Sequence, residues 1–372
     1  MMFNSKNISV LIKLTENCNL RCAYCFHSES GYTDTILNIE DLKKFINLLF
    51  SEYNSIKIIW HGGEPLLVGL DYYKEIYKYI NGIKKNRNIN FNSGIQTNAT
   101  LLNEEFIKFF IKNKVGIGIS FDGLSNELTR SATDKVIEKI HLLKSFNLNI
   151  GAISVVSKYN INSLNDEYNY FKNLGVSLQL NKYIPNHLND NLSISIDEYF
   201  TSMSELFNIY IADGKCNINL NPFNNYLKQL ITQAPLTCSN GSCLKNWLCI
   251  NPNGDIVPCD RDFPKVFTYS NIKEISHMSN IYYSIGYRKL LSLAIIRRKK
   301  CMETCNLYEY CAGGCNANAL VEGGIENNNG NSCKCYYSLF SYVKNFFNNL
   351  ILDQTKILKK INNPIVLKIL NN

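Results

Sequence analysis

The residues of this chain best suited to chemistry are its cysteines, 14 among 372 residues. They are clumped. Cys18, Cys22 and Cys25 form one group; Cys238, Cys243, Cys249 and Cys259 a second; Cys301, Cys305, Cys311, Cys315, Cys333 and Cys335 a third, with Cys216 alone. Disulfide frameworks belong mainly to small secreted domains, and this long chain shows no cleavage site after its first apolar stretch. A cytoplasmic, reduced protein is expected, and clumped thiols there point to metal. In TENCNLRCAYCF (15–26) the spacing is C-x3-C-x2-C. Three thiolates on one tight loop can hold three irons of a cubane and leave the fourth open to a ligand. A zinc knuckle completed by His27 is the other reading of the same residues. The later groups contain several closely spaced pairs, a strong metal signal that does not choose the metal, because two tetrahedral zincs could take eight thiolates equally well.

Polar residues follow several apolar runs. In WHGGEP (60–65), Gly62 and Gly63 would let backbone approach a ligand and Glu64 would suit an ammonium group; an exposed turn is the plain alternative. QTNA (96–99) and SFDG (120–123) place Gln96, Ser120 and Asp122 at equivalent points, although Asp122-Gly123 is also ordinary turn chemistry. Asp260 directly follows Cys259 and reads either as a proton acceptor or as a solvated carboxylate beside Arg261 and Asp262. The basic run Arg297–Lys300 reads first as a solvated face and second as a dock for an acidic peptide.

These residues need elements to position them. Strands are expected at Ser9–Leu14, Ile56–Trp60, Asn90–Gln96, Gly116–Phe121, Asn149–Val156 and Ser177–Tyr183. Helical spacing lies between them at Ile39–Phe50, Asp71–Ile83, Asn103–Lys112, Ala132–Ser145 and Ser163–Leu174, with a further helix over Asp197–Ala212. Six strand–helix repeats imply an α/β fold with a parallel sheet, open or curled into a partial (β/α)6 TIM-like barrel, whose chemistry sits at the strand C-termini. From about Ala234 the style changes to short β-like pieces, Gly, Pro and dense cysteine, a region that bound metal would organise. Cys249, in WLCIN, is expected to be a core thiol, and Cys216 a structural one. From Tyr336 the chain looks helical, with Pro364 as an interruption.

The first group, with Asn19, Leu20, Tyr24 and Phe26 around it, resembles the signature of radical S-adenosylmethionine (radical SAM) enzymes. That resemblance implies that Cys18, Cys22 and Cys25 ligate a 4Fe-4S cluster whose open iron is chelated by the methionine group of S-adenosylmethionine. It also implies that Tyr24 lies beside the adenine, that Gly62, Gly63 and Glu64 meet the methionine amino group, and that Gln96, Ser120 and Asp122 face the same mouth. Arg130 would hold the methionine carboxylate. The later cysteines resemble the SPASM extension of peptide- and protein-modifying radical enzymes, including anaerobic sulfatase-maturating enzymes, through Gly254 to Cys259 and the run Cys301, Cys305, Cys311, Cys315. The resemblance implies two auxiliary 4Fe-4S clusters, one held by Cys238, Cys243, Cys259 and Cys315 and the other by Cys301, Cys305, Cys311 and Cys333. Cys335 is the alternative to Cys333. In sulfatase-maturating relatives the residue matching Asp260 is thought to deprotonate the substrate.

The expected layout is a radical SAM partial barrel over 8–195, a bridging helical segment over 196–233, a small cysteine-rich SPASM domain over 234–345 and a helical tail over 346–372. The expected activity is hydrogen abstraction from a residue of a ribosomally made peptide, with sulfatase maturation second and a zinc-organised, non-catalytic binding protein third. Flavodoxin or ferredoxin would donate the electrons. Composition excludes other classes: 45% hydrophobic and 12% aromatic residues are too many for a disordered chain. No apolar run approaches the roughly 20 residues of a membrane helix. A net charge of +8 is dispersed rather than gathered on a nucleic-acid module, and anionic clusters would offset much of it.

Overall fold

The computed structural model describes residues 6–26, 33–85, 87–185, 190–241, 243–352 and 361–371. His27 lies outside them. The chain forms two compact units, each assembled from separated segments. The first comprises Met1–Ser120, Asp134–Leu148 and Ser242–Ile295; the second comprises Phe121–Thr133, Asn149–Gly241 and Ile296–Asn372.

In the first unit, β1 (Asn7–Lys13), β2 (Ser55–His61), β3 (Asn90–Thr97) and β4 (Val115–Ser120) pair in parallel in that order. β1 is buried almost throughout, whereas β2, β3 and β4 mix buried residues with half-buried and exposed ones. A strand that the sequence marked only as a β-like piece, β8 (Trp247–Ile250), joins parallel to the far side of β1, with Ser9 opposite Trp247 and Ile12 opposite Ile250. β9 (Asp255–Val257) and β10 (Ser270–Asn271) continue the sheet antiparallel.

Strand alternation divides the sheet into two faces. On one, Trp60 donates to Tyr77 Oη at 2.9 Å and Tyr77 donates to Ser93 Oγ at 2.7 Å, fastening helix Leu70–Lys84 to the strands. Helix Ile39–Glu52 covers the same face, with Phe50 against Phe91. Asn38 caps that helix by accepting from the Glu40 and Asp41 amides. On the other face, Leu11, Cys249 and Val257 form a small apolar floor with Ile59 and Trp247 packed on it. Cys249 is fully buried there, a core thiol as its sequence context suggested.

In the second unit, β5 (Gly151–Val156), β6 (Ser177–Lys182) and β7 (Leu220–Asn221) pair in parallel. Helix Ile196–Ala212 starts on a reciprocal Ser195/Glu198 capping box. It packs through Phe207 against Phe223, Tyr342 and Phe346. Helix Asn331–Leu352 stacks Tyr336 and Phe340 beside Tyr226. Pro364 opens the last helix, Pro364–Leu370, from an Asn363 cap instead of interrupting one.

Candidate active site

The cysteine loop begins where β1 ends, and the glycines of the next strand end hold it in place. Gly63 N–H donates to Thr15 O and Glu64 N–H donates to Asn17 O, both at 2.9 Å. A Cβ on Gly62 would sit 2.2 Å from Thr15 O, and one on Gly63 would sit 2.2 Å from Asn17 O. Contact between backbones therefore accounts for the two glycines, where the sequence suggested room for a ligand. Glu64 is fully buried, not an exposed turn residue. It accepts from Leu66 N–H at 3.0 Å, Thr97 Oγ1 at 2.7 Å and Asn98 N–H at 2.8 Å, tying the ends of β2 and β3 together. Burial raises its carboxyl to about 7 against the pull of those three donors.

Asn98 extends the brace. Its amide donates to Asn19 Oδ1 at 2.9 Å, and Asn19, within the cysteine loop, in turn donates to Thr100 Oγ1 at 2.8 Å. Inside that loop Cys25 N–H donates to Cys22 O at 3.1 Å. Burial pushes the Cys18 thiol up to about 11, and Glu64, Cys22 and Cys25 add to the shift. The three thiols are thus half-buried neighbours, with Tyr24 half-buried among them. Gln96 lies across Gly118, whose Cβ would be 2.5 Å from Gln96 Oε1, and donates to Ser120 Oγ at 2.9 Å.

Asp122 and Arg130 belong to the second unit. Asp122 is fully buried and accepts from Thr129 Oγ1 at 2.6 Å, Arg130 Nε at 3.2 Å and Val155 N–H at 2.9 Å. The pair anchors the chain near the end of β5, a structural duty the sequence did not reveal.

The second cysteine set also lies in the second unit. Cys301 lies in the last turn of helix Ile285–Thr304 with Cys305 just beyond, Cys311 closes helix Tyr308–Cys311, and Cys333 sits in the first turn of Asn331–Leu352. Burial pushes Cys311 up to about 12, with Cys333, Cys301 and Cys305 adding to it. Cys333 rises to about 11 by burial and the charges of Cys301 and Cys305. Cys335, two residues on, projects from a different helix face; its thiol is raised by burial, with Lys182 and Glu322 rather than the other thiols acting on it. Of the other set, Cys243 and Cys259 are in the first unit, where both act on Tyr269, while Cys238 and Cys315 are in the second.

Arg297 overturns the reading of the basic run as a solvated face or a dock. It is buried, and it donates to the carbonyls of Gly313 (2.7 Å), Gly314 (3.3 Å) and Ile325 and to Asn316 Oδ1. Arg298 donates to Gly241 O; only Lys299 and Lys300 are exposed. Arg297 therefore shapes the loop between Cys311 and Cys315.

Asp260 is half-buried in the first unit, with Cys259 Sγ donating to its Oδ1 at 2.9 Å. Burial alone would raise its carboxyl, but His61, the Cys259 bond, Arg261 and Lys13 outweigh it and hold it below the usual value. Burial holds the His61 imidazole below its usual value.

Among the described residues no three Cys, His, Asp or Glu side chains clasp a single metal ion. A four-iron cube is larger than one ion and takes thiolates at its corners, so sets of neighbouring thiols fit it. Residues 12–170 match the Radical SAM superfamily.

The chain contains a radical SAM domain.

Its similarities extend well past the radical SAM domain. The chain is 29% identical over 369 residues to the cysteine-type anaerobic sulfatase-maturating enzyme of Clostridium novyi, covering 90% of this chain and 95% of that one. It is 25% identical to the serine-type anaerobic sulfatase-maturating enzyme of Bacteroides thetaiotaomicron, covering 91% and 90%. Its fold is that of native anSMEcpe with bound AdoMet, at a TM-score of 0.81 and 24% identity, covering 92% of this chain and 99% of that one. Streptococcus suis SuiB bound to S-adenosylmethionine follows at a TM-score of 0.66 and 18% identity, covering 88% and 77%. Through that radical SAM domain it uses a 4Fe-4S cluster and S-adenosylmethionine. Among the described residues no helix is long and apolar enough to cross a membrane.

Proposed function

We propose that this radical SAM enzyme is an anaerobic sulfatase-maturating enzyme that oxidises a cysteine of its protein substrate to formylglycine. The observation that carries the reading is the likeness to the cysteine-type enzyme of Clostridium novyi, which runs through almost the whole of both chains at 29% identity. The serine-type relative stands at 25%. This reverses the order expected from sequence, which placed ribosomal-peptide maturation first.

Cys18, Cys22 and Cys25 would hold the cluster that binds S-adenosylmethionine. When bound, that cofactor supplies a 5′-deoxyadenosyl radical able to take a hydrogen atom from carbon. The thiol-bearing methylene of the substrate cysteine and one water become an aldehyde and hydrogen sulfide; one electron and one proton leave as the hydrogen atom, the other proton passes to a base, and an auxiliary cluster would accept the second electron. Asp260 is the proposed acceptor of the thiol proton, because it is a half-buried carboxylate directly beside the cluster cysteine Cys259. A Cys259 that ligates metal is a thiolate, which would leave Oδ1 of Asp260 open to the substrate. Cys238, Cys243, Cys259 and Cys315 would hold one auxiliary 4Fe-4S cluster, and Cys301, Cys305, Cys311 and Cys333 the other. Flavodoxin or ferredoxin would deliver the reducing electron.

The test is anaerobic incubation of the reconstituted enzyme with S-adenosylmethionine, dithionite and matched Cys- and Ser-containing sulfatase peptides. Mass spectrometry should find formylglycine from the Cys peptide. A cross-linked or epimerised product, or no product from either peptide, would overturn the reading. Asp260→Asn should slow formylglycine formation about 100-fold or more, the usual value of a positioned base, while peptide-independent cofactor cleavage persists.

A further inference from the structure

On the face of the first unit's sheet that turns away from its helices, one level above the apolar floor, three polar side chains stand side by side with polar atoms left unbonded. The Asp260 carboxylate acts on Lys13, the last residue of β1 and only 2% exposed, but among the described residues its ammonium has no hydrogen-bond partner. A lysine is almost never buried so completely without one. His61 is its register partner on β2, and paired residues of neighbouring strands share a face. The His61 Nδ1 is buried and makes no hydrogen bond. On the other side of Lys13, Ile12 pairs with Ile250, so Asn251 follows at the position beside Lys13; its Oδ1 is likewise buried and unbonded. Gln96 continues the row beyond His61, since Trp60 pairs with Ile95.

Buried polar groups left unbonded on this scale call for a ligand. An anion alone would answer Lys13 but leave the His61 and Asn251 acceptors unserved. A peptide unit answers Lys13 and one of the two acceptors at once, because it offers one carbonyl acceptor and one N–H donor in a fixed plane. Leu11, Ile59 and Cys249 beneath provide an apolar bed for the chain that carries it. The charge of Asp260 acts on both His61 and Lys13 of this row.

We propose that Lys13, His61 and Asn251 form a main-chain subsite for the peptide substrate, with the Lys13 ammonium donating to a substrate carbonyl and His61 Nδ1 or Asn251 Oδ1 accepting from a substrate N–H. The proposal rests on the maturase reading, and it makes these three positioning residues, with recognition that does not depend on the substrate's side chains.

The experiment measures binding of a fluorescently labelled Cys-containing sulfatase peptide to the anaerobic, cluster-loaded enzyme with S-adenosylmethionine present, alongside kcat and KM for formylglycine. Lys13→Met, which keeps the length and loses the donor, should weaken peptide binding and raise KM about tenfold or more, the loss of one charge-assisted hydrogen bond. Lys13→Arg should recover part of it, and His61→Phe should weaken binding by a smaller factor. Affinity for S-adenosylmethionine and iron content should stay at the wild-type level, which also certifies that the variants fold. Unchanged peptide affinity in Lys13→Met, with wild-type turnover intact, would overturn the subsite and leave the maturase reading standing. A loss of S-adenosylmethionine affinity as large as the loss of peptide affinity would assign the row to the cofactor and overturn it as well. No peptide binding or turnover by the wild type would sink both.

Discussion

Glu64 brings a carboxyl into a fully buried corner and surrounds it with three donors. Because its pKa is raised in the fold from about 4.5 to about 7, the stability linked to its proton is present below pH 4.5 and lost as pH rises through 7. Relative to Glu64→Gln, the wild type should lose on the order of 3 kcal/mol across that window. Chemical denaturation at a series of pH values checks this, and a difference independent of pH would exclude it. The motif around Glu64 was visible in the sequence. Its burial was not, because burial depends on Thr97 and Asn98, more than thirty positions away. The two late cysteines offer a second contrast at this scale. Cys333→Ser should remove iron from the protein, whereas Cys335→Ser should keep the full complement, since only Cys333 is grouped with Cys301, Cys305 and Cys311. Equal iron loss from both would contradict the assignment.

At the scale of elements, the six strand–helix repeats of the first two hundred residues stand within a few positions of where their periodicity put them. Local pattern suffices there, because each strand or helix has one continuous apolar face. It is blurred for helix Ile285–Thr304, where Tyr287, Leu290, Ala294 and Cys301 are buried at helical spacing but Ile285, Ile295 and Ile296 are exposed and Arg297 is buried among them. Hydrophobicity alone blurs the buried face of a helix that exposes isoleucines and buries a cation. Arg297 satisfies the carbonyls of a left-handed run, Ala312 to Gly314, that no helix or strand could satisfy. Arg297→Met should strand those carbonyls at about 1–3 kcal/mol each, lower Tm by several degrees and reduce iron retained by the cysteines from 301 onward. Differential scanning calorimetry with iron analysis would show it; a variant with unchanged Tm and iron would refute the hub.

For the whole molecule, the enzyme loaded with three 4Fe-4S clusters should be brown, oxygen-sensitive and carry about 12 irons. Cys22→Ala should lose about four of them together with S-adenosylmethionine cleavage, keeping the rest. Iron and sulfide analysis decides this; retained cleavage would remove Cys22 from the cofactor site. The sequence by itself determined the chemistry on offer: the thiol groups, their spacing, the α/β repeats that end in polar turns, and the resemblance they carry. These are properties of residue type and short-range order. Only the tertiary structure decided that Gly62 and Gly63 serve backbone packing, that Asp122 and Arg130 brace a corner, and that β8 pairs beside β1. It alone put Asn251, Lys13 and His61 in one row, because strand pairing joins positions that are far apart along the chain, and a buried lysine becomes informative only when its neighbours are known.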